Sequence, residues 1–390
     1  VIHLLRNAEV YAPEPRGLQD VLVAGERIVW MGDDLTALPA EIWIEERDLG
    51  RRRLVPGFVD GHVHLTGGGG EAGAHTRVPP VQLTELSRAG VTTAVGVLGT
   101  DDVTRSTAEL VATARGLHTL GLSAWCHTGG YHLPPVTITG SVRGDIALVE
   151  QIIGVGEVAI SDHRSSQPTL DELLRLASEA HVGGLMTGKA GVVHLHVGDG
   201  ERGLELVRRA LDVSELPARV FNPTHVNRRR ALFDEALELA DRGVTIDITA
   251  FPVDEGEDAW EAAEALVRYW DAGLPADRVT VSSDGGGCLP AFDAQGQVVS
   301  FAVGHPRSLA QTLEQLLADG HALELALPAF TSNPAALLRL PTKGRLGVGM
   351  DADLLVLDPN GAISDVMARG RWLVRDGAAV VTGPFERTVA

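Results

Sequence analysis

The middle of this chain alternates apolar, strand-like runs with amphipathic, helix-like ones. The strand-like runs are the segment entering His62, then VTTAVGVL, LSAWCHTGG, VAISDH, VVHLHVG, RVFNPTHV, TIDITA and VTVSSDG. Helical spacing of apolar residues appears between them, over Thr107–Leu120 and in LDELLRLASEA, GLELVRRAL, ALFDEALELADRG and WEAAEALVRYW. Strands that are apolar on both faces suit a parallel sheet, and parallel neighbours need a crossover helix between them. Eight strands, most of them followed by a helix, predict an α/β chain with a (β/α)8 TIM-type barrel, in which chemistry sits at the C-terminal strand ends. The two ends of the chain have another rhythm. VIHLLRNAEVY, DVLVAGERIVWMG and EIWIEERDL alternate apolar and polar positions between turn residues, as do RLGVGMDADLLVLD and AISDVMARGRWLVRDGAAVV. Such segments read as short antiparallel strands. The predicted organisation is a barrel over residues 56–344, with residues 1–55 and 345–390 together forming a small β-sandwich domain. No internal repeat, low-complexity tract or coiled coil interrupts it.

Composition narrows the class of partner. Asp and Glu number 52 against 33 Lys and Arg, a formal charge of −19, which argues against nucleic acid and against an anionic membrane surface. No basic segment followed by an apolar one opens the sequence, and no apolar run approaches about 18 residues. The two cysteines, Cys126 and Cys288, form neither a CxxC pair nor a disulfide framework, so a reducing, cytoplasmic setting is expected. Lysine is confined to Lys189 and Lys343.

Polar residues recur at the predicted strand ends. His62 and His64 are two apart, so on a strand they share a face. An isolated HxH pair is as easily two polar residues lining a loop. Here, however, Glu157 follows on strand four, His196 on strand five, His225 on strand six and Asp284 on strand eight. Four imidazoles and two carboxylates on one rim suit two divalent ions sharing a hydroxide. His194 shares the face of His196. The glycines at 67 to 70 let the loop after His64 turn tightly, and without a GK[ST] ending they do not make a nucleotide loop.

The segments GHVHLTGGGGEAG, GVLGTD, GGYHLPPVTITGSV, AISDHRSS, VGDG, PTHVNR, TIDIT and VTVSSDG resemble the bacterial isoaspartyl dipeptidases of the amidohydrolase superfamily. The likeness covers essentially the whole length. It implies a metal-dependent hydrolase, a pair of divalent ions (zinc by the resemblance), a small β-aspartyl dipeptide as substrate and a homo-oligomer. The VGD that follows His196 selects it over His194 as ligand. Asp284 would also shuttle a proton, and Tyr131 would hydrogen-bond the developing oxyanion. Glu71 would meet the substrate ammonium, Arg164 and Arg228 its carboxylates, and Gly69 and Thr100 would complete the pocket. Cys288 stands where the family pattern has a serine near the substrate.

One departure stands out. The family pattern puts a carbamylated lysine on strand four, bridging both ions. No lysine precedes Lys189, the aligned position is Glu157, and one extra residue comes before it. Glutamate offers two oxygens and one negative charge on a shorter side chain, so it bridges only if the backbone brings it inward. Competing readings are an amidohydrolase acting on cyclic amides or N-acyl amino acids, and a barrel that binds a ligand without catalysis.

Overall fold

A computed structural model describes residues 1–33, 35, 43–292 and 298–386. Alternating burial at the start of the chain produces strands β1 (Ile2–Tyr11), β2 (Pro15–Ala24), β3 (Arg27–Gly32), β4 (Glu45–Asp48) and β5 (Arg53–Pro56). Residues 41–42 of the predicted EIWIEERDL strand lie outside the described residues.

The barrel follows directly. Its strands are β6 (Phe58–Val63), β7 (Val91–Gly96), β8 (Ser123–Thr128), β9 (Ile152–Ile160), β10 (Val192–Val197), β11 (Phe221–Thr224), β12 (Ile246–Thr249) and β13 (Val279–Ser282). Nearly every residue in them is buried, as strands covered on both faces require. Strands β6 to β11 pair in sequence order, and β12 pairs with β13, all in parallel. Two contacts close the ring. Val226 N–H donates to Asp247 O at 3.4 Å beside β11 and β12, and His64 N–H donates to Gly285 O at 2.8 Å beside β13 and β6.

A helix follows each strand: α1 (Leu83–Arg88), α2 (Thr107–Leu120), α3 (Val142–Leu148), α4 (Leu170–Thr187), α5 (Glu205–Val213), α6 (Arg230–Asp241), α7 (Ala262–Asp271) and α8 (Arg307–Ala318). Ser106 caps α2 through the Glu109 N–H, and Thr169 with Glu172 forms a capping box on α4. An antiparallel hairpin, β14 (Cys288–Phe292) and β15 (Val298–Val303), interrupts the path from β13 to α8. After α9 (Leu323–Phe330), the short α10 (Ser332–Leu337) closes the barrel floor, where Ala335, Leu338 and Leu340 pack on Val59, Ile153 and Val192.

The chain then returns to the terminal sheet as β16 (Leu354–Leu357), β17 (Ile363–Ala368), β18 (Arg371–Arg375) and β19 (Ala378–Ala379). Strand β16 pairs antiparallel with β5, so both ends of the chain join one nine-stranded sheet. The sheet curls round a core of its own, shared by Leu5, Val21 and Ile28 from the first part and Leu354, Met367 and Trp372 from the second. This is the sandwich-like β domain expected from the sequence, made continuous by hydrogen bonds. Among the described residues, no helix is long and apolar enough to cross a membrane.

Candidate active site

His62 lies in β6, and His64 follows one residue after its end. Their Nε2 atoms converge to 3.3 Å, and Asp284 Oδ1 sits 3.4 Å from the first and 3.1 Å from the second. Asp284 and His225 both adopt left-handed backbone, φ 51° and 62°. Two non-glycine residues in that region, just past β13 and β11, turn the chain where their side chains enter the same cluster.

Glu157 reaches the cluster through a bulge. Between the pairs Val193–Val155 and Leu195–Val158, β9 carries one residue more than β10. A bulge of this kind re-aims a side chain. Gly156 makes it possible: at φ 144°, a Cβ there would stand 2.4 Å from the carbonyl oxygen of His194. Glu157 Oε1 then lies 3.3 Å from His64 Nε2 and 3.7 Å from His62 Nε2. Its Oε2 lies 3.1 Å from His196 Nδ1 and 3.5 Å from His225 Nε2. Each carboxylate oxygen faces one pair of imidazoles.

The electrostatics agree with that arrangement. Burial opposes ionisation of Glu157, but His62, His196 and His225 outweigh it and hold the carboxyl well below its usual range. Asp284 behaves likewise, with burial outweighed by His62 and His64. Burial works against charge on His64, yet hydrogen bonds to Asp284 and Glu157 raise it to about 10. Burial drives His225 down to about 3 in spite of Glu157. Two buried anions thus demand positive charge, and imidazole nitrogens point at the same spots. His62, His64 and Asp284 offer ligand atoms within 4.8 Å of one another, as do His62, Glu157 and His225. Nitrogen and carboxylate donors in this number fit divalent metal ions.

An outer layer holds the imidazoles. Thr249 Oγ1 meets His225 Nδ1 at 2.8 Å, and Asp162 Oδ2 meets His196 Nε2 at 2.9 Å. Such partners fix ring orientation and tautomer. Asp162 also receives Arg164 in a fork, Nε to Oδ1 at 3.0 Å and Nη2 to Oδ2 at 2.8 Å. One carboxylate therefore ties an imidazole of the cluster to an arginine of the pocket wall. Sequence reasoning did not select Asp162, although it stands two residues before Arg164 in SDHR.

Above the cluster is a cavity of about 470 Å³ lined by Gly69, Glu71, Thr100, Tyr131, Arg164, Arg228 and Cys288, with Glu157 and Asp284 at its base. Thr100 donates to Glu71 Oε1 at 3.2 Å, while the buried Oε2 has no hydrogen-bond partner among the described residues. Arg164 Nη1 approaches Glu71 Oε1 at 3.5 Å, and Arg228 Nη1 donates to Val197 O at 3.2 Å. The Tyr131 hydroxyl is 2.8 Å from His196 Nδ1, and burial raises its pKa well above the ordinary phenol. It therefore remains a donor at neutral pH. Burial, with Glu71 nearby, pushes the Cys288 thiol up to about 12, so it faces the pocket as a neutral group.

The glycine loop is held from beneath by Arg105, whose side chain is almost fully buried. Its guanidinium donates to the carbonyls of Thr66, Gly68, Gly69 and Val78 at 2.9–3.4 Å. Gly69 sits at φ 75°, where a Cβ would meet Thr76 O at 2.6 Å. Nothing local in the sequence marks Arg105, because its four acceptors come from a loop 27–39 residues earlier.

A family model described as the amidohydrolase family matches residues 53–373. The chain belongs to the amidohydrolase family. Among solved structures of this family's fold, it is similar to the β-aspartyl dipeptidase of Fervidobacterium islandicum AW-1 in complex with β-Asp-Leu. That likeness is 42% in sequence, covering 99% of this chain and 100% of the other, with a TM-score of 0.92. A dihydropyrimidinase from Brevibacillus agri shares the fold at 18% identity and a TM-score of 0.67, over 98% of this chain and 96% of the other. Among curated relatives, a deacetylase of Agrobacterium fabrum is 26% identical over 87% of this amidohydrolase and 78% of its own length.

Proposed function

We propose that this amidohydrolase cleaves the β-amide bond of isoaspartyl dipeptides, releasing aspartate and a second amino acid. The observation that carries the reading is the charge layout of one cavity. A buried Glu71 oxygen with no hydrogen-bond partner among the described residues and two arginines surround a cluster of imidazoles and carboxylates. A β-aspartyl dipeptide presents one ammonium and two carboxylates around its scissile amide, which suits Glu71, Arg164 and Arg228. The full-length likeness to a β-aspartyl dipeptidase solved with β-Asp-Leu supports the same substrate class. A cyclic amide or an N-acyl amino acid has no ammonium and would leave Glu71 Oε2 buried and unpaired, a cost of about 1–3 kcal/mol.

His62, His64 and Asp284 would hold one ion, His196 and His225 the other, and Glu157 would span the two. Bound there, a pair of divalent ions, zinc by family resemblance, would lower the pKa of water to about 7 and polarise the scissile carbonyl. Asp284 takes the proton of the attacking water and passes it to the departing amine nitrogen as the C–N bond breaks. Tyr131 donates its hydroxyl hydrogen to the carbonyl oxygen as negative charge develops there. Thr100 and Gly69 line the wall beside Glu71 and limit how the aspartyl part can sit.

Amino-acid release from β-Asp-Leu and α-Asp-Leu, each with and without chelator, tests this reading. Cleavage of the β-linked peptide alone, abolished by chelator, is the expected result. Equal cleavage of both, or turnover of an N-acetyl amino acid in preference to either, would overturn it.

A further inference from the structure

His194 shares a strand face with His196 but turns away from the cavity toward the back of His62. Its Nε2 lies 2.7 Å from His62 Nδ1, and its own Nδ1 lies 2.7 Å from Asn222 Oδ1. Asn222 Nδ2 donates to the backbone carbonyl of Thr245 at 2.8 Å. His62, His194 and Asn222 are all buried and come from three strands, β6, β10 and β11. His127 of β8 stacks on the far face of His194, ring centroids 5.4 Å apart and planes 21° from parallel. The ring is thereby fixed on both its edges and one face.

The direction of this chain follows from what each atom can do. The Thr245 carbonyl can only accept, so the Asn222 amide must present NH2 to it and its oxygen to His194. That oxygen can only accept, so His194 carries a proton on Nδ1. A neutral His194 then has a bare Nε2, which must accept from His62 Nδ1–H. His62, with its proton on Nδ1, is left with a bare Nε2, the atom that converges with His64 and Asp284. We propose that the Thr245–Asn222–His194 chain is a tautomer relay that presents His62 Nε2 as an unprotonated metal ligand. A second histidine takes the part a carboxylate or backbone carbonyl usually takes behind a ligating imidazole. His194 is a positioning residue, and the HLH pair on β10 divides its labour: His196 faces the cavity and His194 sets His62. The inference rests on the reading above in which His62 holds an ion.

The test is zinc stoichiometry and affinity, measured by chelator competition on the full chain. His194→Phe fills the ring's space without an acceptor; His194→Gln restores a carbonyl acceptor; Asn222→Leu removes the acceptor behind His194. Wild type should bind two equivalents. His194→Phe and Asn222→Leu should weaken one equivalent about 10–100-fold and change the other less than about threefold, and His194→Gln should recover most of the loss. Unchanged affinity in His194→Phe, or equal weakening of both equivalents with no rescue by Gln, would overturn the relay. Fewer than two equivalents in wild type would instead overturn the two-ion reading beneath it. Should the variants fail to fold, ring nitrogen chemical shifts of zinc-loaded wild type decide the matter. They should place the His194 proton on Nδ1; a proton on Nε2 would contradict the relay.

Discussion

The carboxylate of Glu157 sits on a much shorter stem than a carbamylated lysine, yet its two oxygens meet two separate imidazole pairs at 3.1–3.7 Å. Two features of neighbouring residues permit this, an added residue in β9 and a glycine that no larger residue could replace. The residue types at the strand ends were legible in the sequence because period-two spacing assigns faces before any fold is known. His194 shows the limit of that logic. It obeys the same spacing as His196, but which imidazole enters the cavity and which backs His62 depends on Asn222 and Thr245, far along the chain. Asp284 carries the sharpest prediction at this scale. With metal supplied at saturation, Asp284→Asn should lower kcat on β-Asp-Leu by about 10²-fold or more, in the range of lost acid–base catalysis, with a much smaller change in KM. Steady-state kinetics read it directly, and a kcat within threefold of wild type would remove Asp284 from proton transfer.

Among the elements, the strands were the most legible and the loops the least. A buried parallel strand writes itself as an unbroken apolar run, so eight of them announce a barrel. The loops that roof the site are fixed by contacts between distant segments. Arg105, at the start of the path into α2, gathers four carbonyls of the glycine loop that follows β6, and no spacing rule connects the two. Because that loop carries Gly69 and Glu71, holding it in place would preorganise the proposed pocket for the substrate's aspartyl end. Lysine keeps the charge of Arg105 but not its forked donors. Arg105→Lys should raise KM for β-Asp-Leu about tenfold, equal to roughly 1.4 kcal/mol of binding, while kcat stays within a factor of about three. A KM unchanged from wild type would mean that the loop keeps its shape without the fork.

For the whole molecule, the two scarce lysines have structural posts. Lys189 Nζ donates to the carbonyls of Ile146, Val149 and Ile152 beside α3 and β9, at 2.7–3.0 Å. Lys343 is buried between barrel and terminal sheet, 2.7 Å from both Asp351 and Asp353 and 2.6 Å from Ser123 Oγ of β8. Composition showed that lysine was rare but not where it would serve, since each site is assembled from several segments. Lys343→Met would take the buried ammonium from Asp353 and leave Asp351 with Arg27, 2.6 Å away. It should cost about 3–5 kcal/mol by denaturant titration, and a loss under about 1 kcal/mol would show that the junction does not depend on the pair. That sheet pairs β5 with β16 just ahead of β6, so the junction also anchors the strand that carries His62.

In the proposed site Glu157 alone would span two ions, with no modified lysine. Anomalous diffraction at the zinc edge, from crystals of metal-loaded protein prepared without added bicarbonate, tests it most directly. Two peaks are expected, one among His62, His64 and Asp284 and one beside His196 and His225, with one oxygen of Glu157 on each. A single peak, or two peaks with Glu157 turned away from either, would rule out the bridge.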